Sequence, residues 1–141
     1  MLKISNNPTL KGLSVLSPGI VYSRAAGTEL TLDLLMPYTQ ENDTESRFPL
    51  VVFIQGSGWE FPDVNYELPQ LSRISQAGYV VATVTHRNIR MGHPAPAFLK
   101  DVKTAIRFLR TNAGQYHIDS ERVYAFGTSS GGNTSLLLGL T

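Results

Sequence analysis

The chain has 141 residues, 42% of them hydrophobic, with 12 basic against 11 acidic side chains, a formal net charge of +1 and no cysteine. That length suits one domain burying about two thirds of its unfolded surface. The even charge balance, without a run of like charge, gives no footprint for nucleic acid or an anionic membrane and leaves a small neutral molecule as the expected partner. The lack of cysteine rules out disulfides and thiolate metal sites. Residues 1–8 lack the apolar core of about 7–15 residues that a secretory signal needs. No apolar run approaches the roughly 18 residues of a membrane span, so the chain reads as soluble and cytoplasmic.

In chain order, the segment up to Gly19 is polar, carries Pro8, Gly12 and Pro18, and is expected to be loosely attached. Residues 20–23 read as a short first strand. After the Ala26-Gly27 turn, residues 29–34 alternate polar with apolar, the pattern of a half-buried antiparallel or edge strand that Pro37 ends. Residues 38–47 are polar and charged, a solvated loop. Leu50-Val51-Val52-Phe53-Ile54 is apolar on both faces, which suits a central parallel strand covered above and below. It runs into Gln55-Gly56-Ser57-Gly58-Trp59. Leu68, Leu71, Ile74 and Ala77 then recur at three-residue steps, predicting a helix within 66–77 that accepts Pro69 in its first turn and ends at Gly78. Residues 79–84 form a second strand apolar on both faces. Phe98, Val102, Ala105, Ile106 and Leu109 make one stripe of an amphipathic helix. Strands alternating with helices imply an α/β fold: a mostly parallel sheet with helices on both faces, a three-layer sandwich.

The most informative stretch comes last. Residues 123–126, Val-Tyr-Ala-Phe, break into Gly127-Thr128-Ser129-Ser130-Gly131-Gly132, after which Leu136, Leu137, Leu138 and Leu140 begin a helix-like run. A GxSxG turn between strand and helix is a nucleophile elbow, with glycines where a side chain would strike the neighbouring strand or helix. Ser129 is then the candidate nucleophile, and the N–H of Ser130, at a positive helix end, a candidate oxyanion donor. The plainer alternative is a glycine-rich turn that merely packs helix on strand. Neither glycine-rich phosphate-loop pattern, GxxxxGK[ST] or GxGxxG, is present. The loop at Gln55 sits at the carboxyl end of a central strand, where α/β sheets bind ligands, so the N–H groups of Ser57 and Gly58 are expected to complete an oxyanion hole. Trp59 and His86 are the candidate pocket residues.

These stretches together resemble the N-terminal half of an α/β-hydrolase of the esterase/lipase group, close to its feruloyl-esterase-like and acetyl-xylan-esterase-like members. Gln55-Gly56-Ser57-Gly58-Trp59 stands where that family has HGGGW, His93-Pro94-Ala95-Pro96-Ala97 through Asp101-Val102 matches the stretch before its helix, and Gly127 to Asn133 matches its elbow. Two residues depart from the pattern: Gln55 replaces a histidine and Ser57 a glycine. The resemblance implies a serine ester hydrolase working through an acyl-enzyme on small or carbohydrate-linked esters, without metal or organic cofactor.

The triad in this fold runs Ser, acid, His. The 12 residues after Ser129 contain no Asp, Glu or His, and His86, His93 and His117 all lie upstream. Residues 1–141 are therefore expected to be a partial hydrolase domain ending after the elbow and inactive alone, with the elbow strand left as an open edge. That edge would meet the missing C-terminal half or a second copy. Two alternatives remain: a serine peptidase of the prolyl-oligopeptidase kind, and a non-catalytic remnant acting as a binding or assembly module.

Overall fold

The computed structural model describes residues 12–25 and 27–141. Five strands form one sheet: β1 Ser14–Ala25, β2 Thr28–Pro37, β3 Phe48–Ile54, β4 Val80–Val84 and β5 Ile118–Gly127. Three helices accompany them: α1 Leu68–Gln76 between β3 and β4, α2 Ala97–Thr111 between β4 and β5, and α3 Ser130–Leu140 after β5. The spatial order is β1-β2-β4-β3-β5. β3 pairs in parallel with β4 and with β5, while β1 and β2, and β2 and β4, run antiparallel. The α/β class and the covering helices are those expected from the sequence; the sheet itself is mixed because the N-terminal hairpin adds its two strands head to tail.

Period-two alternation assigns each strand residue to one helical layer. Leu50, Val52 and Ile54 of β3 join Val80, Ala82 and Val84 of β4 beneath Val102, Ala105 and Leu109 of α2, with Leu138 of α3 packed against the same cluster. Val51 and Phe53 turn the other way, toward Val81, Leu35 and Leu71 of α1. Every residue of Leu50–Ile54 is buried, which explains the unbroken apolar run: a strand with neighbours on both edges and helices on both faces has no solvent side. Each such side chain contributes about 2 kcal/mol by leaving water.

The N-terminal region differs from its sequence reading. Ser14 to Gly19, expected to be loosely attached, belongs to β1 and pairs with β2, for example Ser14 with Pro37 and Leu16 with Leu35. Residues 1–11 and Ala26 lie outside the described residues. The register shifts between Ser17 and Ile20, where Gly19 takes φ +68° and donates its N–H to Asp33 Oδ1 at 2.7 Å. Asp33 is consequently buried at 4% exposure. The antiparallel pairing expected of β2 is observed on both sides, but the strand is not at the edge, since β1 lies outside it, and the acid is retained inside because it satisfies the backbone at the bulge.

β5 forms the other border. Among the described residues it pairs only with β3, leaving one row of its backbone groups unpartnered. Tyr124 and Phe126, in register with Val51 and Phe53, are 54% and 39% exposed on the α1 side, and the Phe126 ring lies 4.9 Å from that of Phe53.

Candidate active site

β3 and β5 run side by side in parallel, so their carboxyl ends, and the turns that follow, emerge together. Ile54 is in register with Gly127. After Gly127 the chain reverses through Thr128 and Ser129 into α3. Ser129 is the N-cap residue at φ 49°, ψ −120°, an unfavourable region for a side-chain-bearing residue, and it is exposed. The glycines around it are forced by close approach. A Cβ on Gly127 would lie 2.4 Å from the Ile54 carbonyl oxygen, and one on Gly131 only 1.9 Å from that same atom. Gly131 and Gly132 both donate their N–H groups to the Thr128 carbonyl, at 2.8 and 3.2 Å, which starts the helix one residue past the nucleophile.

The loop after β3 lies directly against this turn. Gly56 donates its N–H to Thr128 Oγ1 at 2.9 Å, and Ser57 donates its own to Ser130 Oγ at 3.0 Å. Residues 57–60 then form a tight turn: Glu60 N–H bonds to the Ser57 carbonyl at 3.0 Å and Ser57 Oγ donates to the Glu60 carbonyl at 2.8 Å. Gly58 and Trp59 take left-handed φ values of 61° and 59°. Among the described residues, the N–H groups of Gly58 and Ser130 have no hydrogen-bond partner. Of the three expected oxyanion donors, then, Gly58 and Ser130 stand uncommitted, whereas the Ser57 amide is engaged.

Both departures from the HGGGW pattern find a local reason. Gln55 Oε1 accepts the N–H of Asp63, bracing the loop from behind. Ser57 avoids positive φ and uses its hydroxyl to close the 57–60 turn. Beside Gln55, burial raises the pKa of Glu67 against the opposing pull of the Gln55 side chain, and Glu67 Oε2 is buried without a partner.

A cavity of about 530 Å³ opens next to the loop, walled by Gly58, Trp59, Asn88, His93, Phe98 and Leu137. It is of ordinary ligand-pocket size. Trp59 lines it, 44% exposed. His86, the other candidate pocket residue, is 2% exposed and absent from the lining; its Nδ1 lies 2.9 Å from the Arg87 carbonyl and its ring 6.1 Å from that of Phe98. Burial depresses its pKa, opposed by that carbonyl and by Asp101. His93 occupies the wall instead. His117 sits at the opposite end of β5, its ring 3.2 Å from the Ser46 carbonyl and 3.4 Å from Thr39 Oγ1. The turn carrying Asn88 is held to α2 by Arg87, whose guanidinium grips Asp101 at 2.7–3.2 Å while its N–H donates to Asp101 Oδ2 at 2.8 Å.

Sequence reasoning gave no role to Thr128 and used only the backbone N–H of Ser130, not its hydroxyl. It also placed Phe98 only in the core stripe, although that residue forms cavity wall as well. Asn88 carried a usable signal: Asn followed four residues later by Gly92 marks a capped turn, and Asn88 Oδ1 indeed accepts the Met91 N–H at 3.2 Å, with Gly92 at φ 79°. Among the described residues no cluster of His, Asp or Glu could hold a metal ion, and no helix is long and apolar enough to cross a membrane.

Comparison with known proteins yields consistent relatives. A family model described as BD-FAE matches residues 32–141. Esterase LipC of Mycobacterium tuberculosis is 32% identical over 94 residues, covering 66% of this chain and 23% of that protein. Carboxylesterase NlhH of the same organism is 32% identical over 92 residues, covering 64% and 28%. Among solved structures, the thermophilic esterase Est2 of Thermogutta terrifontis superposes with TM-score 0.74 at 25% identity, covering 91% of this chain and 44% of the other. A truncated carbohydrate esterase from gut microbiota gives TM-score 0.75 at 30% identity, covering 96% and 47%. The chain thus spans about a quarter of the length of these curated relatives and under half of the solved ones.

Proposed function

The chain belongs to the BD-FAE family, of the α/β-hydrolase esterases, and from that premise we propose that it carries the nucleophile and oxyanion hole of a serine carboxylic-ester hydrolase. One observation carries this reading: Ser129 is exposed at a positive-φ corner while the uncommitted N–H groups of Gly58 and Ser130 belong to the two turns that abut there. In the proposed reaction Ser129 Oγ bonds to the ester carbonyl carbon. The carbonyl oxygen takes up the negative charge and is held by the two N–H groups. The serine proton passes to a base and leaves with the departing alcohol, and water then cleaves the acyl-enzyme by the reverse proton path. Each oxyanion donor is worth about 3 kcal/mol in the transition state.

In this reading the base and its orienting acid are supplied from outside these residues. His86 is enclosed, and no acidic residue or histidine follows Ser129. We propose that both come from a further α/β segment, of the kind by which the relatives exceed this chain, paired along β5. By itself the 141-residue chain would retain only the contributions of oxyanion hole and binding. The apolar cavity beside Gly58 favours a small acyl or alcohol group; carbohydrate-linked esters are the substrate class drawn from the resemblance, with no metal or organic cofactor required.

The test is labelling with a fluorophosphonate probe, in the chain alone and after addition of a C-terminal half taken from a relative. Labelling at Ser129 that rises on addition and vanishes in Ser129→Ala supports the proposal; absence of labelling with the half bound refutes it. A second reading, a non-catalytic assembly module, is favoured by the bare edge of β5 with Tyr124 and Phe126 beside it. Stable association through β5 without labelling is the outcome that selects it.

A further inference from the structure

We propose that the hydroxyls of Thr128 and Ser130, one on each side of the nucleophile, are positioning groups that select which amides of the 55–59 loop face the carbonyl oxygen of the substrate. They engage the N–H groups of Gly56 and Ser57 and so leave the work to those of Gly58 and Ser130. This rests on the hydrolase reading above and deepens it, since a bare GxSxG turn constrains neither neighbour of the serine to carry a hydroxyl.

Two successive loop amides bond to two elbow side chains, Gly56 N–H to Thr128 Oγ1 at 2.9 Å and Ser57 N–H to Ser130 Oγ at 3.0 Å, across more than seventy residues of sequence. The contact is also steric. A Cβ on Gly56 would stand 2.6 Å from the Thr128 carbonyl oxygen and 2.9 Å from both Ser129 Cβ and Thr128 Oγ1, so the loop backbone already rests on the elbow. Ser130 is itself immobilised, 5% exposed, with its carbonyl accepting Thr134 Oγ1 at 2.9 Å. Once the Ser57 amide is fixed, the closed 57–60 turn, with Gly58 and Trp59 at left-handed φ, carries that constraint forward to the Gly58 amide. Without the two hydroxyls, the amides of Gly56 and Ser57 would lose their partners and compete with that of Gly58 for the substrate oxygen. A donor misdirected in this way loses most of its value, because stabilisation of the developing charge depends on donors already aimed at it.

Amide hydrogen exchange by NMR on the isotope-labelled 141-residue chain tests the clamp directly. In the parent, Gly56 and Ser57 amides should exchange more slowly than Gly58. Thr128→Val should speed Gly56, and Ser130→Ala should speed Ser57, each by about fivefold, the loss of one ordinary hydrogen bond. Thr128→Ser, which keeps the hydroxyl, should restore the parent rate at Gly56. The rate of fluorophosphonate labelling of Ser129, measured with the added C-terminal half, should fall in the Thr128→Val, Ser130→Ala double variant and recover in Thr128→Ser. Unchanged exchange at Gly56 and Ser57 in the double variant overturns the proposal. So does faster exchange with an unchanged labelling rate, which would reduce the two bonds to packing. Labelling absent in every form, parent included, counts against the hydrolase reading, while exchange still decides whether the clamp exists.

Discussion

Replacing Gly131 by alanine should be among the most damaging single-methyl changes available to this molecule. The added Cβ would fall 1.9 Å from the Ile54 carbonyl oxygen, 2.6 Å from the Ile54 carbonyl carbon and 2.9 Å from the Gln55 carbonyl oxygen. Against the 3.4 Å at which ordinary contact begins, the first of these is short by about 1.5 Å. All three obstructing atoms are backbone, so no rotamer change relieves the overlap. Either α3 lifts from β3, stripping Leu138 from its packing, or the end of β3 shifts and carries the Gln55 loop with it. Overpacking that side chains can absorb costs about 1–3 kcal/mol; here we expect at least the top of that range, about 3–4 kcal/mol. Two neighbouring glycines serve as internal controls. At Gly132 a Cβ would meet the Gly127 carbonyl oxygen at 3.1 Å, a conflict relieved by a few tenths of an ångström, and Gly132→Ala should cost about 1 kcal/mol or less. At Gly139 nothing lies within 4 Å, and Gly139→Ala should stabilise α3 by about 0.5–1 kcal/mol through helix propensity. Urea unfolding followed by circular dichroism measures all three. A Gly131→Ala chain as stable as Gly132→Ala would show that helix and strand are not in the contact described, and the account of the elbow would have to be abandoned.

Three further outcomes are expected. Burial holds the pKa of His86 below its ordinary value of 6.5, so the unfolded chain takes up a proton that the folded chain refuses; stability present above that value should decline as pH falls through it, by up to about 1.4 kcal/mol per pH unit, and this slope should be missing in His86→Leu when denaturation midpoints are followed from pH 7.5 to 5. Asp101→Asn leaves the Arg87 guanidinium without its charge partner between α2 and the Asn88 turn, and should cost about 3 kcal/mol in the same assay; a loss below about 1 kcal/mol would mean that the pair behaves as a surface ion pair. Tyr124→Lys places a charge beside the unpaired row of β5 and should shift any self-associated material toward monomer in light scattering, and no change would argue against association along that border.

The parts of the fold legible in the sequence were those in which side-chain period and environment agree. Leu50 to Ile54 is uniformly apolar because both faces and both edges are covered, and the stripe from Phe98 to Leu109 is amphipathic because α2 covers one face of the sheet. The N-terminal strand was legible only in part. Ser14 to Gly19 carries no clear apolar alternation because β1 is a border strand on which even Val15 and Leu16 are 42% and 44% exposed, and its attachment depends on backbone pairing and on one buried carboxylate, neither of which leaves a hydrophobic pattern. At the site, the turn carrying Ser129 and the loop after β3 could be anticipated from glycine spacing. The bonds by which Thr128 and Ser130 hold the second loop could not, since they join positions 72 and 73 residues apart through groups that the sequence presents as ordinary hydroxyls. His86 failed as a pocket residue for a related reason: standing at the end of β4 fixes which layer a residue occupies, but Phe98 from another element fills the space in front of it.

The near-contact of Gly56, Gly127 and Gly131 with the backbone of the opposite turn has a consequence for how such a site can diversify. Because these approaches leave no room for a single added carbon, the elbow and the loop beside it are interlocked and must vary jointly or not at all. The segment from Asn88 to Ala95 contributes a whole wall of the cavity yet takes no part in that interlock. A library intended to change substrate preference therefore has its freedom there, where altered shape can be explored while the reactive oxygen and its amide partners keep their mutual spacing.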